Sequence, residues 1–85
     1  MKCWLCGRNG SADRLEYHHV YGGPLRKIST KYGAGVWLCG NRCHRLGPDA
    51  VHRSRKTRER LQDWMQRKLM QENGWTVEDF MKIFG

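Results

Sequence analysis

Two cysteine pairs restrict this chain more than any other feature, Cys3-x-x-Cys6 near its start and Cys39-x3-Cys43 in its middle. Both spacings lie within the range used by zinc ligands, and a Cys-x-x-Cys turn lets two thiolates point into one site. Gly7, directly after the first pair, permits the tight backbone such a turn needs. If all four thiolates share one ion, the long segment between the pairs must come back to where it began. An antiparallel hairpin does that. At 85 residues the chain is one small domain, too short to rely on a large core, so a staple is expected. The opening MKCWLCGRNG has no apolar run of the secretory kind. The expected compartment is therefore a reducing cytoplasm, where clustered cysteines take metal in preference to a disulfide. A site with four thiolate ligands is closed: it supports the fold and leaves no position for a substrate.

The rest of the pattern fills in that hairpin. Leu15 to Val20, LEYHHV, alternates as a β-strand, with Leu15, Tyr17 and His19 on one face. Gly35-Val36-Trp37-Leu38 reads as the second strand, running into Cys39. Between them Tyr21–Gly35 reads as a glycine-flanked loop carrying Arg26, Lys27 and Lys31. Residues 42–46 suit a short helical turn ended by Gly47-Pro48. A helix is expected from Thr57 to Asn73, with Leu61, Trp64, Met65 and Leu69 on one face. A second short helix should start at Thr76, an N-cap followed by Glu78 and Asp79 in the first turn, with Trp75 and Phe80 as a hydrophobic staple. The fold class is then a small α+β zinc-stapled domain. Residues 1–53 form its stapled core and residues 54–85 a C-terminal helical extension of the same domain.

Charge and histidines point to a function. With 16 Lys and Arg against 8 Asp and Glu, the formal charge is +8 and the pI near 9.8. Such a small, strongly basic body attracts polyanions, nucleic acid first among them. No stretch approaches the length of a membrane span, and no membrane partner is expected. The densest run, HRSRKTRER, carries Arg53, Arg55, Lys56 and Arg58. All four histidines lie beside features that could gather them: His18 and His19 end the first strand, His44 follows Cys43, and His52 follows the Gly-Pro break. Adjacent residues on a regular strand face opposite sides, so His18 and His19 divide more naturally into one metal ligand and one free base.

Cys-x-x-Cys, then LEYHHV, then VWLCGNRCH, then a final VH resembles the HNH endonucleases, also called ββα-metal nucleases, and in particular small phage-type members with a four-Cys zinc site. The resemblance spans Cys3 to His52 and implies a hairpin with a helix crossing it and a metal held between them. It implies that Cys3, Cys6, Cys39 and Cys43 hold structural zinc. His18 takes the place of the first catalytic metal ligand, His52 that of the closing ligand, and His44 that of a third ligand or a group behind them. His19 takes the place of the general base. The chain departs from the family where relatives carry an orienting Asn a few residues before the Leu-Cys pair. Ala34 and Gly35 stand there. The stretch from His44 to His52 is also longer than usual, as in phage variants that include a recombination-promoting nuclease family.

The implied activity is metal-dependent hydrolysis of DNA phosphodiesters, as nicking by a lone centre, with Mg²⁺ or Mn²⁺ as the catalytic ion and Zn²⁺ or Ni²⁺ as alternatives. Arg26, Lys27, Lys31, Arg53, Arg55, Lys56 and Arg58 would neutralise flanking phosphates. A double-strand cut would need a second copy or a phage packaging or recombination partner, and the setting would be the cytoplasm of a bacterial host. The rival readings are a non-catalytic zinc-finger module that binds nucleic acid and a scaffold that uses the C-terminal helices.

Overall fold

The computed structural model describes all 85 residues. In chain order it runs strand β1 (Leu15–His19), a 3-10 turn (Gly23–Leu25), helix α1 (Arg26–Tyr32), strand β2 (Gly35–Cys39), a π-type turn (Gly40–Arg45), helix α2 (Arg55–Asn73) and helix α3 (Val77–Phe84). The two strands form one antiparallel sheet, as the return of the chain to the second cysteine pair requires. The result is a small α+β fold. The chain divides into two units, one of residues 1–18 and 36–59, the other of residues 19–35 and 60–85.

In the first unit the sheet buries Val36, Leu38 and Cys39 from β2, together with Cys3, Cys43, Ala50 and Val51. On the outward face Tyr17 packs edge-on to Trp37 across the strands, with ring centroids 5.3 Å apart. The N-terminal turn is tied to β2 by the Trp4 N–H, which donates to the Trp37 carbonyl at 2.8 Å. Helix α2 starts two residues earlier than its apolar spacing suggests, because the Ser54 hydroxyl accepts the Thr57 N–H at 3.1 Å and caps the first turn.

In the second unit, residues 21–35 are not the open loop that their glycines suggest. Pro24 enters the first turn, α1 makes two turns, and Gly33 closes the helix in the left-handed conformation at φ 68°. Buried Ser29 anchors it by donating its hydroxyl to the Tyr21 carbonyl at 2.5 Å. Glycines at both ends mask so short a helix, since seven residues give periodicity little room to show. The apolar stripe of α2 buries Leu61, Met65 and Leu69, but Trp64 stays exposed, contrary to its place on that stripe. Helix α3 begins at the expected cap. The Thr76 hydroxyl accepts the Asp79 N–H at 3.2 Å, and the Asp79 carboxylate accepts the Thr76 N–H at 2.9 Å. That backbone hydrogen bond holds the Asp79 carboxyl below its ordinary range. Phe80 and Phe84 are buried and stack with centroids 5.0 Å apart, while Tyr21 packs on Phe84 and Trp75 on Tyr32. No helix is long and apolar enough to cross a membrane.

Candidate metal centres

The first centre joins the two cysteine pairs. Cys3 and Cys6 lie on the N-terminal turn, closed by the Gly7 N–H donating to the Cys3 carbonyl at 2.9 Å, with Gly7 at φ 78°. Cys39 ends β2 and Cys43 sits one turn further on. Their four Sγ atoms lie within 4.8 Å of one another, and no disulfide joins them. The Sγ atoms of Cys6 and Cys39 are 3.5 Å apart. Thiolates around a tetrahedral ion with Zn–S bonds of about 2.3 Å would stand about 3.8 Å apart. The group could hold a metal ion such as zinc. Electrostatics point the same way. Burial opposes ionisation of Cys6, but the backbone hydrogen bond from Arg8 and the thiols of Cys39, Cys3 and Cys43 outweigh it and bring Cys6 down to about 6. Cys39 is pushed up to about 11, by burial first and then by Cys6 and Cys3, and Cys43 is raised as well, again chiefly by burial. One negative charge in this pocket is shared by its neighbours. Four require a cation.

The second centre is made of His18, His44 and His52, whose ring nitrogens also lie within 4.8 Å of one another. His18 comes from β1 and His44 from the π-type turn. The turn is fixed at its start by Asp13, whose carboxylate accepts the Arg42 N–H at 2.8 Å and the Asn41 N–H at 3.1 Å. The chain then reverses at Gly47, where a Cβ would run into the Arg42 carbonyl oxygen, so only glycine fits. After the reversal the Val51 N–H donates to the Cys43 carbonyl at 2.8 Å and the His52 N–H to the His44 carbonyl at 3.1 Å. This short ladder sets His52 beside His44. Their ring centroids are 4.6 Å apart, and those of His18 lie 5.1 Å from His44 and 5.5 Å from His52.

The Nε2 atoms of His44 and His52 face each other at 3.0 Å. Two imidazoles bound to one ion at about 2.0–2.1 Å, with an angle between octahedral and tetrahedral, place their nitrogens about 2.9–3.4 Å apart. The observed spacing fits. Behind His44 stands Glu16, which sequence reasoning missed. Its Oε1 accepts the His44 Nδ1–H at 3.0 Å, and Arg45 donates to both of its oxygens at 2.6 Å. A proton held on Nδ1 leaves the Nε2 lone pair for a metal, the usual arrangement of carboxylate behind histidine. The hydrogen bond from His44, then the charge of Arg45, holds the Glu16 carboxyl below its ordinary range. His52 is also lowered, by burial first and then by His44, Arg58 and Arg45, which favours the neutral imidazole that a metal needs. A signal for Glu16 was present: it stands two residues before His18, on the same face of the strand.

His19 is not among the three clustered histidines. Its Nε2 lies 3.0 Å from the Thr30 hydroxyl. The basic residues serve different ends. Arg58 donates to the Val51 carbonyl at 2.9 Å and Arg53 to the Leu46 carbonyl at 2.9 Å, so both brace the loop that carries His52. Arg55 pairs with Glu59 one turn along α2. Lys56 is exposed in the first unit, and Arg26, Lys27 and Lys31 are exposed on α1 in the second. Comparison with protein-family models, curated proteins and solved structures finds no match.

Proposed function

We propose that this protein is a metal-dependent endonuclease that hydrolyses DNA phosphodiesters in the HNH manner, with zinc on its four cysteines. The observation that carries this reading is the meeting of His18, His44 and His52 in a strongly basic chain, beside a cysteine site that could hold a different ion. A closed four-thiolate site cannot act on a substrate, whereas three imidazoles leave coordination positions open. An ion held there would act as a Lewis acid on a phosphate oxygen and stabilise charge on the leaving oxygen. Glu16, accepting from the His44 Nδ1–H, would select the tautomer whose Nε2 lone pair is directed to the ion. His19, the next residue of β1 after His18, is the proposed general base for the attacking water. Arg26, Lys27, Lys31, Lys56 and the basic start of α2 would bind phosphates without reading sequence.

Three neutral imidazoles suit Mn²⁺, Ni²⁺ or Zn²⁺ better than Mg²⁺, which prefers oxygen ligands. Plasmid nicking should therefore be faster with Mn²⁺ or Ni²⁺ than with Mg²⁺ and should stop in EDTA. His52→Ala and His19→Ala should abolish nicking while DNA still shifts on a gel. Equal DNA binding by wild type and variants with no cutting under any ion would leave a nucleic-acid-binding module instead.

A further inference from the structure

A base that takes a proton from water must hold a lone pair on a known nitrogen and keep its ring still. The family's orienting Asn has no counterpart at Ala34 and Gly35. Within residues 19–35, however, His19 Nε2 and Thr30 Oγ1 are 3.0 Å apart, and the same hydroxyl lies 3.1 Å from the Arg26 carbonyl, one turn back in α1. A hydroxyl has one proton to give. The carbonyl can only accept, so that proton goes to Arg26, and the hydroxyl must accept from the ring. His19 then carries its proton on Nε2 and its lone pair on Nδ1. We infer that Thr30 is the positioning residue for His19, fixing both the tautomer and the ring plane.

The inference rests on the nuclease reading for its catalytic meaning, but the hydrogen bond itself can be tested without any cutting. Helix α1 supplies the rigidity. Its buried Ser29 donates to the Tyr21 carbonyl, and Gly33 caps its end, so the exposed Thr30 beside Ser29 is held on a fixed element. Thr30→Val keeps the β-branched shape and removes the hydroxyl, whereas Thr30→Ser keeps the hydroxyl and removes the methyl.

The experiment uses zinc-loaded full chain with ¹⁵N-labelled histidine. In wild type and Thr30→Ser, NMR at neutral pH should show a directly bonded proton on His19 Nε2. In Thr30→Val that proton should be lost to solvent exchange. In parallel, Mn²⁺-dependent nicking at saturating plasmid should show kcat lowered about 10-fold to 100-fold in Thr30→Val with KM unchanged, the scale seen when an outer-shell partner is removed. Thr30→Ser should restore it. A wild-type proton on Nδ1, an unchanged kcat in Thr30→Val, or no rescue by Thr30→Ser overturns the assignment. If no ion supports cutting, the nuclease reading fails, and the NMR result alone decides whether Thr30 fixes His19.

Discussion

Replacing Glu16 is the sharpest test of the histidine centre, because it removes no proposed ligand. Glu16 makes three charge-assisted hydrogen bonds, one to His44 at 3.0 Å and two to Arg45 at 2.6 Å. In Glu16→Gln the amide oxygen can still accept from His44, but the amide NH₂ then faces the Arg45 donors and the charge is gone. In Glu16→Ala the His44 ring is free to turn and to carry its proton on Nε2, where it blocks the ion. Loss of such a partner generally weakens metal binding about 10-fold to 100-fold. The His44 side chain is only 14% exposed, whereas Glu16 is 36% exposed, so water can replace part of what Glu16 supplies. The Gln variant should therefore sit near the lower end of that range and the Ala variant toward the upper. The measurement is titration of zinc-loaded protein with Mn²⁺, the free ion followed by electron paramagnetic resonance, with His44→Ala as the reference for a lost ligand. Wild-type affinity in Glu16→Ala, or in His44→Ala, would refute the centre.

Three further outcomes follow from other parts of the chain. In metal-stripped protein, iodoacetamide at pH 7 should alkylate Cys6 before Cys39 or Cys43, since Cys6 is exposed and lowered to about 6 while the other two are buried and raised; zinc should block the reaction, and peptide mass spectrometry reads both. Burial, then the charge of Asp63, pushes the Tyr21 phenol up to about 12, and its hydroxyl donates to the Gln62 carbonyl at 2.7 Å. A folded pKa above the unfolded value means that this stabilisation is whole below about pH 10 and is lost as pH rises toward 12. The phenolate absorbance of wild type minus Tyr21→Phe should then show one group titrating near 12, and the variant should lose about 0.5–1.5 kcal/mol at neutral pH in urea melts. Finally, the Cys43–Val51 and His44–His52 backbone bonds link the two centres, so stripping the cysteine-bound ion should weaken Mn²⁺ binding at the histidines about 5-fold to 150-fold, and equal affinity with and without it would deny the coupling.

The parts of this molecule legible in its sequence are those whose signal is local. Cysteine spacing foretold which four thiols meet, because the strands between the pairs had to return, and Thr76 with Asp79 three residues later marked the start of α3 in the chain itself. Helix α1 was hidden by glycines at both ends and by its length, and only the closure of Gly33 and the bond from Ser29 to Tyr21 make it visible. Trp64 sat on the right stripe but at its edge, where half-burial is decided by neighbours rather than by period. The partners of the histidines are the deepest case. Glu16 meets His44 across 28 positions and His19 meets Thr30 across 11. Neither pairing has a spacing rule, since each depends on where a second element happens to set a polar atom. What can be read beforehand is the demand: an imidazole that offers a lone pair on one nitrogen needs a partner on the other. That demand narrows the search to polar residues sharing a face with the histidine or brought up by the next element. Glu16 on β1 satisfies the first condition, and Thr30 on α1 the second.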